Sequence, residues 1–352
     1  MAGTERDTNE EMSKTKEKLG YGIEYFTGIR PSGDLTVANF LGAVRPLLDL
    51  QREHKTMVFV ADIHALTDNE YDTVRHFTPE VVADYLALGL DPSKVDIFVQ
   101  SELLGEVSTL TLLLMRHMTV SQAMRVPALK DKLKDHDHPE RANLLLTCYP
   151  IMMAADILLQ QASVIPVGED QVSHMEVTRN LASSFNQTYG QTDTFVVPKT
   201  YAVKALRIKS LNGVGKMSKS QPEGAIFLTD EPSIAAKKIK RAVTGMAGEM
   251  NEIIASHIEL AKGLNFDPER ARVLDEIIAA HMSGTAVMGD FKKLMTDIVV
   301  EFLENFQKRR KEITQDPSYI PSVLAKGREV AKQNATKTLE SVFVSLSSRK
   351  RQ

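Results

Sequence analysis

Two short stretches of the chain carry residues suited to holding phosphate. Lys216-Met217-Ser218-Lys219-Ser220 sets two lysines three residues apart with hydroxyls beside them. Such lysines can meet a polyphosphate from one side while the serines donate to its oxygens. The same composition also makes an ordinary solvated loop. Phe26-Thr27-Gly28-Ile29-Arg30-Pro31-Ser32-Gly33-Asp34-Leu35-Thr36-Val37-Ala38-Asn39 reads as a strand, a turn of small residues and a helix start. There, small residues admit a ligand to the backbone, and the helix N-terminus offers free N–H groups and a positive dipole to an anion. A tight strand–helix turn without a ligand has the same sequence. The third feature is Asp156, the only charged residue between Arg141 and Glu169, flanked by apolar residues on every helical face. A carboxylate so placed needs a donor, from the protein or from a ligand, or burial raises its pKa.

Other chemistries are excluded. Ser210 stands where a P-loop ending in Gly215-Lys216 needs its first glycine, and Met217 where it needs a hydroxyl. Gly213-Val214-Gly215 is followed by Ser218 where a dinucleotide-binding motif has its third glycine. The single cysteine, Cys148, rules out an internal disulfide and any multi-cysteine metal site. His136-Asp137-His138 lies in a charged stretch before Pro139 and reads as solvated loop rather than a metal pair. The formal charge is −3 over 352 residues, so no global basic coat exists and nucleic acid could meet only local patches. No apolar run approaches the ~18 residues of a membrane helix, and no secretory leader is visible, so the expected location is cytoplasmic.

Residues 1–20 are polar and charged and read as a flexible extension. From there to about Pro198, short β-branched or aromatic runs alternate with helical stretches. Strands are expected at 22–27, 56–61, 95–100 and 164–167. Helices are expected at 36–52, 78–90, 106–118, 141–161 (bent near Pro150) and 170–185. Such alternation predicts an α/β fold, a Rossmann-like parallel sheet with its ligand crevice at the carboxyl ends of the strands. The segment 194–224 is rich in Gly, Ser, Lys and Pro and reads as a mobile connection. Beyond Leu228 the pattern is wholly helical, with helices expected at 233–243, 250–264, 267–282, 286–314 and 320–346.

A phosphate-type turn at the first strand and a lysine loop after the last βαβ unit are the paired signature of class I aminoacyl-tRNA synthetases. Further segments narrow the resemblance: Val60-Ala-Asp-Ile-His-Ala-Leu-Thr67, Met153-Ala-Ala-Asp-Ile-Leu-Leu159, Pro166-Val-Gly-Glu-Asp-Gln171 and Ala236-Lys-Lys-Ile-Lys-Arg-Ala-Val243. In order and spacing, from about Phe26 to Leu346, the chain resembles bacterial tryptophanyl-tRNA synthetases. That resemblance implies activation of L-tryptophan with ATP and Mg²⁺, then transfer to tRNA(Trp), by a homodimer with no membrane association. It implies a catalytic domain over 21–221 with the lysine loop at 216–220. A helical anticodon-binding domain would follow over 222–352, its last helix packing back on the catalytic domain.

Residue by residue, the resemblance implies that Lys216 and Lys219 are catalytic. It places Arg30, Pro31, Ser32, Thr36, Ala38, Asn39, Gly168, Glu169, Asp170, Ile208 and the loop residues Met217, Ser218 and Ser220 around ATP. It assigns Asp156 to the indole N–H, Phe26, Met153, Ile165 and Val167 to the ring walls, and Gly28 to the tryptophan site beside them. Tyr149 and Gln171 would hold the ammonium, with His64 nearby; a core histidine is the plain alternative for His64. Lys237, Lys238, Lys240 and Arg241, and Lys308, Arg309, Arg310 and Lys311, are equally compatible with RNA contact and with solvated helix faces. Three positions depart from the family pattern: Ala38 for glycine, Arg30 for a common glutamine, and Gln221 for a frequent aspartate. They leave open a tryptophan-binding paralogue, and a tyrosyl enzyme is the nearest enzymatic rival. The chain itself contains no tryptophan.

Overall fold

The computed structural model describes residues 21, 23–134, 142–168, 172–189, 194–202 and 206–347. The expected extension at 1–20 and the His136–His138 stretch lie outside them. Five parallel strands form one sheet in the order β3-β2-β1-β4-β5: β1 Tyr25–Ile29, β2 Thr56–Val60, β3 Val95–Val99, β4 Val164–Val167 and β5 Lys199–Ala202. The order reverses between β1 and β4, which opens a crevice at their carboxyl ends. Strands β2 and β3 are buried along their whole length, as expected of a parallel sheet covered on both faces.

Helix α1 (Val37–Asn39) runs through a π-helical turn (Phe40–Val44) into α2 (Arg45–Glu53). It is followed by α3 (Asp62–Ala65) and α4 (Tyr71–Ala87), and after β3 by α5 (Leu104–Met115), α6 (Val120–Ala123), α7 (Pro127–Lys134) and α8 (Leu144–Leu159). Helix α9 (Val172–Tyr189) links β4 to β5. The helical half comprises α10 (Pro232–Arg241), α11 (Glu252–Leu264), α12 (Pro268–Met282), α13 (Met288–Gln315) and α14 (Tyr319–Ser347).

Alternation along the strands sorts the core. Val58, Val60, Ile97 and Val99 face a cluster built with α2, α4 and the helices α10–α13. Phe26, Met57, Phe59 and Phe98 face the other cluster, built with α5, α8 and α9. Helix α14 touches both: Val323 joins the first cluster and Ala331, Ala335 and Val342 the second. It crosses the β3 edge at Gly327, where a Cβ would lie 2.0 Å from the Ile97 carbonyl oxygen. It is tied down by Thr338 donating to the Leu159 carbonyl at 2.8 Å and Gln160 donating to that of Ala331 at 3.1 Å. Gly327→Ala must push a helix off a strand backbone, and overpacking of this kind costs about 3 kcal/mol. Urea titration followed by circular dichroism is expected to show that loss.

Several boundaries differ from the sequence reading. Helix α4 begins at Tyr71, not near Thr78, and continues through Pro79. The carbonyl deprived of its N–H partner belongs to Arg75, an exposed residue, so water can replace the bond. Helix α8 likewise continues through Pro150. The presumed mobile connection contains the edge strand β5, paired with β4 from Lys199 to Ala202.

Candidate functional site

A cavity of about 390 Å³ opens at the carboxyl ends of β1 and β4. Its floor is aromatic: Phe26 and Phe59 stack with ring centroids 4.8 Å apart. A methyl group at Gly28 would sit 2.6 Å from the Phe59 ring, so position 28 must lack a Cβ for that ring to keep its place. Met153, Ile165 and Val167 form the apolar wall. Helix α8 supplies Met153 and Tyr149 to this space, and Gly168 closes the β4 end.

Asp156 is only 5% exposed and does not itself line the cavity; it reaches the lining through His64, which does. His64 Nε2 lies 2.9 Å from its Oδ2, and Gln100 Nε2 donates to the same oxygen at 2.8 Å. Gln100 in turn accepts from the His64 backbone N–H at 3.2 Å. Its Oδ1 takes no hydrogen bond from the described residues. Burial pushes the Asp156 carboxyl above its ordinary pKa, against the opposing pull of His64 and Gln100. Protein donors thus hold one oxygen of Asp156, as the plain alternative of the sequence reading has it. His64, which itself lines the cavity, presents its ring edge-on to Tyr149 at 6.3 Å. Tyr149 Oη pairs with His174 Nε2 at 2.8 Å.

The mouth is cationic. Arg30 at the end of β1 and Lys132 of α7 both line the cavity. Asp68 bridges them, paired with Arg30 and lying 3.3 Å from the Lys132 ammonium. Burial disfavours the Asp68 carboxylate, but the two cations overcome it and hold its pKa below the usual range. Lys132 also sits 5.0 Å over the Tyr149 ring. Burial lowers its pKa, and the Arg30 charge adds to the effect.

The lysine loop docks on the first turn. Lys219 Nζ donates to the Gly33 carbonyl at 2.7 Å. Gly33 has φ = +126°, a conformation that favours glycine. Burial lowers the Lys219 pKa; Asp34 and Asp84 oppose that shift and Arg30 reinforces it. Arg30 and Lys132 thus line the cavity, and Lys219 docks on the turn that follows Arg30. Lys216 and Ser220 are exposed, Ser218 is half-buried with its hydroxyl 3.1 Å from that of Ser220, and Met217 is buried. The loop's base is an isolated β-bridge, with Met217 N donating to the Ile208 carbonyl at 2.8 Å.

Other candidates take local roles. Thr36 and Asn39 form a reciprocal cap: Asn39 Oδ1 accepts from the Thr36 backbone at 2.9 Å and Thr36 Oγ1 from Asn39 N at 3.3 Å. Pro31 is buried, Ser32 is half-buried, and Ala38 packs partly buried on the cluster that contains Phe40. Ile208 is 2% exposed and belongs to that same cluster; it does not line the cavity. Glu169, Asp170 and Gln171 lie outside the described residues. Lys132, Gln100, Phe59 and His174 were missed by sequence reasoning. Of the basic clusters, Lys238 is engaged with Asp230 at 2.8 Å and Arg310 with Asp84 at 2.6 Å. Lys237, Lys240, Arg241, Lys308, Arg309 and Lys311 remain exposed.

The chain has known relatives over nearly its whole length. The family model for class I tRNA synthetases (W and Y) matches residues 19–304. The tryptophan–tRNA ligase of Porphyromonas gingivalis is 34% identical over 324 residues, spanning 90% of this chain and 96% of that protein. The one from Helicobacter pylori is 36% identical over 329 residues, spanning 90% and 95%. Among solved structures, tryptophanyl-tRNA synthetase from Campylobacter jejuni complexed with ADP and tryptophan superposes with a TM-score of 0.79 at 26% identity. That alignment covers 92% of this chain and 100% of the other.

Proposed function

The chain belongs to the class I tRNA synthetases of the tryptophan and tyrosine group, and from that premise we infer that it is a tryptophan–tRNA ligase. The observation that carries the inference is a single juxtaposition. An apolar, aromatic-floored cavity at the sheet's switch point carries Arg30 and Lys132 in its lining, and Lys219 of the lysine loop docks on the turn just beyond Arg30. Its aromatic floor suits an indole ring, and Asp156 Oδ1 suits the indole N–H. The mouth suits a carboxylate and a triphosphate.

The chemistry follows in two steps. The tryptophan carboxylate, ionised at neutral pH, attacks the α-phosphorus of ATP and needs no general base. A mixed anhydride with AMP forms and pyrophosphate leaves with the developing charge. The site's task is therefore positioning and electrostatic stabilisation, which we assign to Lys216, Lys219, Arg30 and Lys132. Mg²⁺ would arrive on the triphosphate. A ribose hydroxyl at the tRNA 3′ end then attacks the anhydride carbonyl and AMP leaves.

On the same reading, residues 21–221 form the catalytic domain and 222–352 the anticodon-binding domain. The exposed cations of α10 and α13 are its RNA-facing charges. Leu104, Leu112, Val120 and Leu144 on α5, α6 and α8, with Met124 just beyond α6, expose apolar side chains, which supports a homodimer. No helix among the described residues is long and apolar enough to cross a membrane, and we place the enzyme in the cytoplasm. Amino-acid-dependent ATP–pyrophosphate exchange tests the central claim. Exchange with tryptophan and none with tyrosine is expected. Exchange with tyrosine would overturn the amino-acid assignment, and none with either would overturn activation itself.

A further inference from the structure

The lysine loop rises from a hairpin whose base is the bridge between Lys209 and Lys216. The bonds of that bridge run on either side of the pair: Ser210 N donates to the Gly215 carbonyl at 3.1 Å, and Met217 N to that of Ile208 at 2.8 Å. In such a pair the backbone groups of the two central residues point away from each other. The Lys209 N–H therefore needs an acceptor from outside the hairpin. Helix α11 supplies it, since Lys209 N donates to Ser256 Oγ at 2.7 Å. The next residue, His257, is 1% exposed, and its ring bonds the Ser210 backbone. Lys209 Nζ also pairs with Glu252, one turn earlier on α11, at 2.8 Å. At the hairpin's tip a Cβ on Gly213 would lie 2.9 Å from Ile253 Cδ1, so the tip rests on the same helix.

The far end of α11 is braced on the other phosphate-facing segment. Gly263 presents its carbonyl to Arg45 of α2, and a Cβ on it would lie 2.5 Å from Leu41 Cδ2 in the π-helical turn. Ser256 and Gly263 are about 10 Å apart along the helix axis. One helix thus touches both the base of the lysine loop and the helical run that begins at the first turn. Neither Ser256 nor His257 lines the aromatic cavity.

We propose that Ser256, with His257 beside it, is a positioning residue for the lysine loop, through which the helical half holds Lys216 and Lys219 at the first turn for ATP. The proposal rests on the reading of those lysines as ATP-binding residues. Lys216 is a member of the anchored bridge, and Lys219 lies three residues beyond it. Without Ser256 Oγ the half-buried Lys209 N–H loses its acceptor, and the hairpin base loses a bond that ties it to α11. The lysines then spend more of their time away from the triphosphate. Tryptophan occupies a cavity that α11 does not line, so its binding is unaffected.

The test uses the full-length chain, with ATP–pyrophosphate exchange and limited tryptic cleavage read side by side. Ser256→Ala is expected to lower kcat/KM for ATP about tenfold, with the equilibrium affinity for tryptophan changed less than about twofold. Cleavage after Lys216, identified by mass spectrometry, should accelerate about tenfold, because it reports local opening of the hairpin. Ser256→Thr keeps the hydroxyl and should restore both readouts. If Ser256→Ala does not fold, Ser256→Cys serves instead, since its sulfur is a weaker acceptor, with changes of about threefold. Unchanged ATP kinetics overturn the proposal. So does a loss that Ser256→Thr does not restore, or one shared equally by tryptophan binding, because a merely structural hydroxyl gives that result. A loss of activity without faster cleavage after Lys216 also overturns it. Absence of tryptophan-dependent exchange in the unmodified protein defeats the ligase reading and this inference with it. Exchange that is present and untouched by Ser256→Ala defeats this inference alone.

Discussion

Lys219→Ala is expected to lower kcat for tryptophan-dependent ATP–pyrophosphate exchange by about 10³-fold while tryptophan affinity changes less than about twofold. The asymmetry follows from where the ammonium lies. It is on the first turn, hydrogen-bonded to Gly33 and within the field of Arg30, and it does not line the aromatic cavity. In the proposed mechanism its charge matters when negative charge grows on the departing pyrophosphate, so its loss should be felt in the transition state and not in tryptophan binding. A factor of 10³ is about 4 kcal/mol, the upper part of what one preorganised donor supplies. Lys216 is exposed and less constrained, so Lys216→Ala should cost about tenfold. Equilibrium binding of tryptophan, measured beside the exchange rate, decides the matter. Joint loss of both would mean that Lys219 holds the fold of the turn. Unchanged exchange would remove it from the machinery.

The parts of this site that were legible in the sequence are those where chemistry and local geometry coincide. The lysine loop and first turn are contiguous, and their small and cationic residues carry their meaning within a few positions. Asp156 was legible for the opposite reason, as one charge in an apolar helix. Long-range partnership was not legible. Gln100 meets Asp156 across 56 positions, and Arg310 meets Asp84 across 226, because the sheet order and the return of α13 bring them together. Lys132 reads as one of several lysines in an amphipathic stretch until α7 is seen to end above Tyr149. Local rules also misplaced elements. The helix expected from residue 78 begins at Tyr71 and runs through Pro79, because a proline is tolerated on the exposed face of a helix that packing holds. Strand β5 has only four residues, one of them an exposed Tyr201, so its identity comes from pairing with β4 and not from its own pattern.

Asp156→Asn should reduce kcat/KM for tryptophan by about 10²-fold and erase most of the discrimination against analogues lacking a ring N–H. On the proposed reading the carboxylate has two jobs on two oxygens. Oδ2 fixes His64 and Gln100, and Oδ1 is the acceptor left within the apolar surroundings. An asparagine keeps the volume but offers one acceptor and one donor where the native group offers two acceptors. If its oxygen stays with His64 and Gln100, its NH₂ points at the indole N–H, donor against donor. If it flips, the His64–Gln100 pair loses its anchor. Either way one buried donor goes unanswered, at about 1–3 kcal/mol. Benzothienyl-alanine, with sulfur in place of the indole nitrogen, makes the two jobs separable. Against the native protein it should be a poor substrate, since it leaves Oδ1 unsatisfied. Against Asp156→Asn it should perform about as well as tryptophan. His64→Gln should weaken both substrates alike, because it disturbs the anchor and not the acceptor. Retention of full tryptophan selectivity in Asp156→Asn would show that the aromatic floor and aliphatic wall select the ring by shape. Asp156 would then serve only to hold His64.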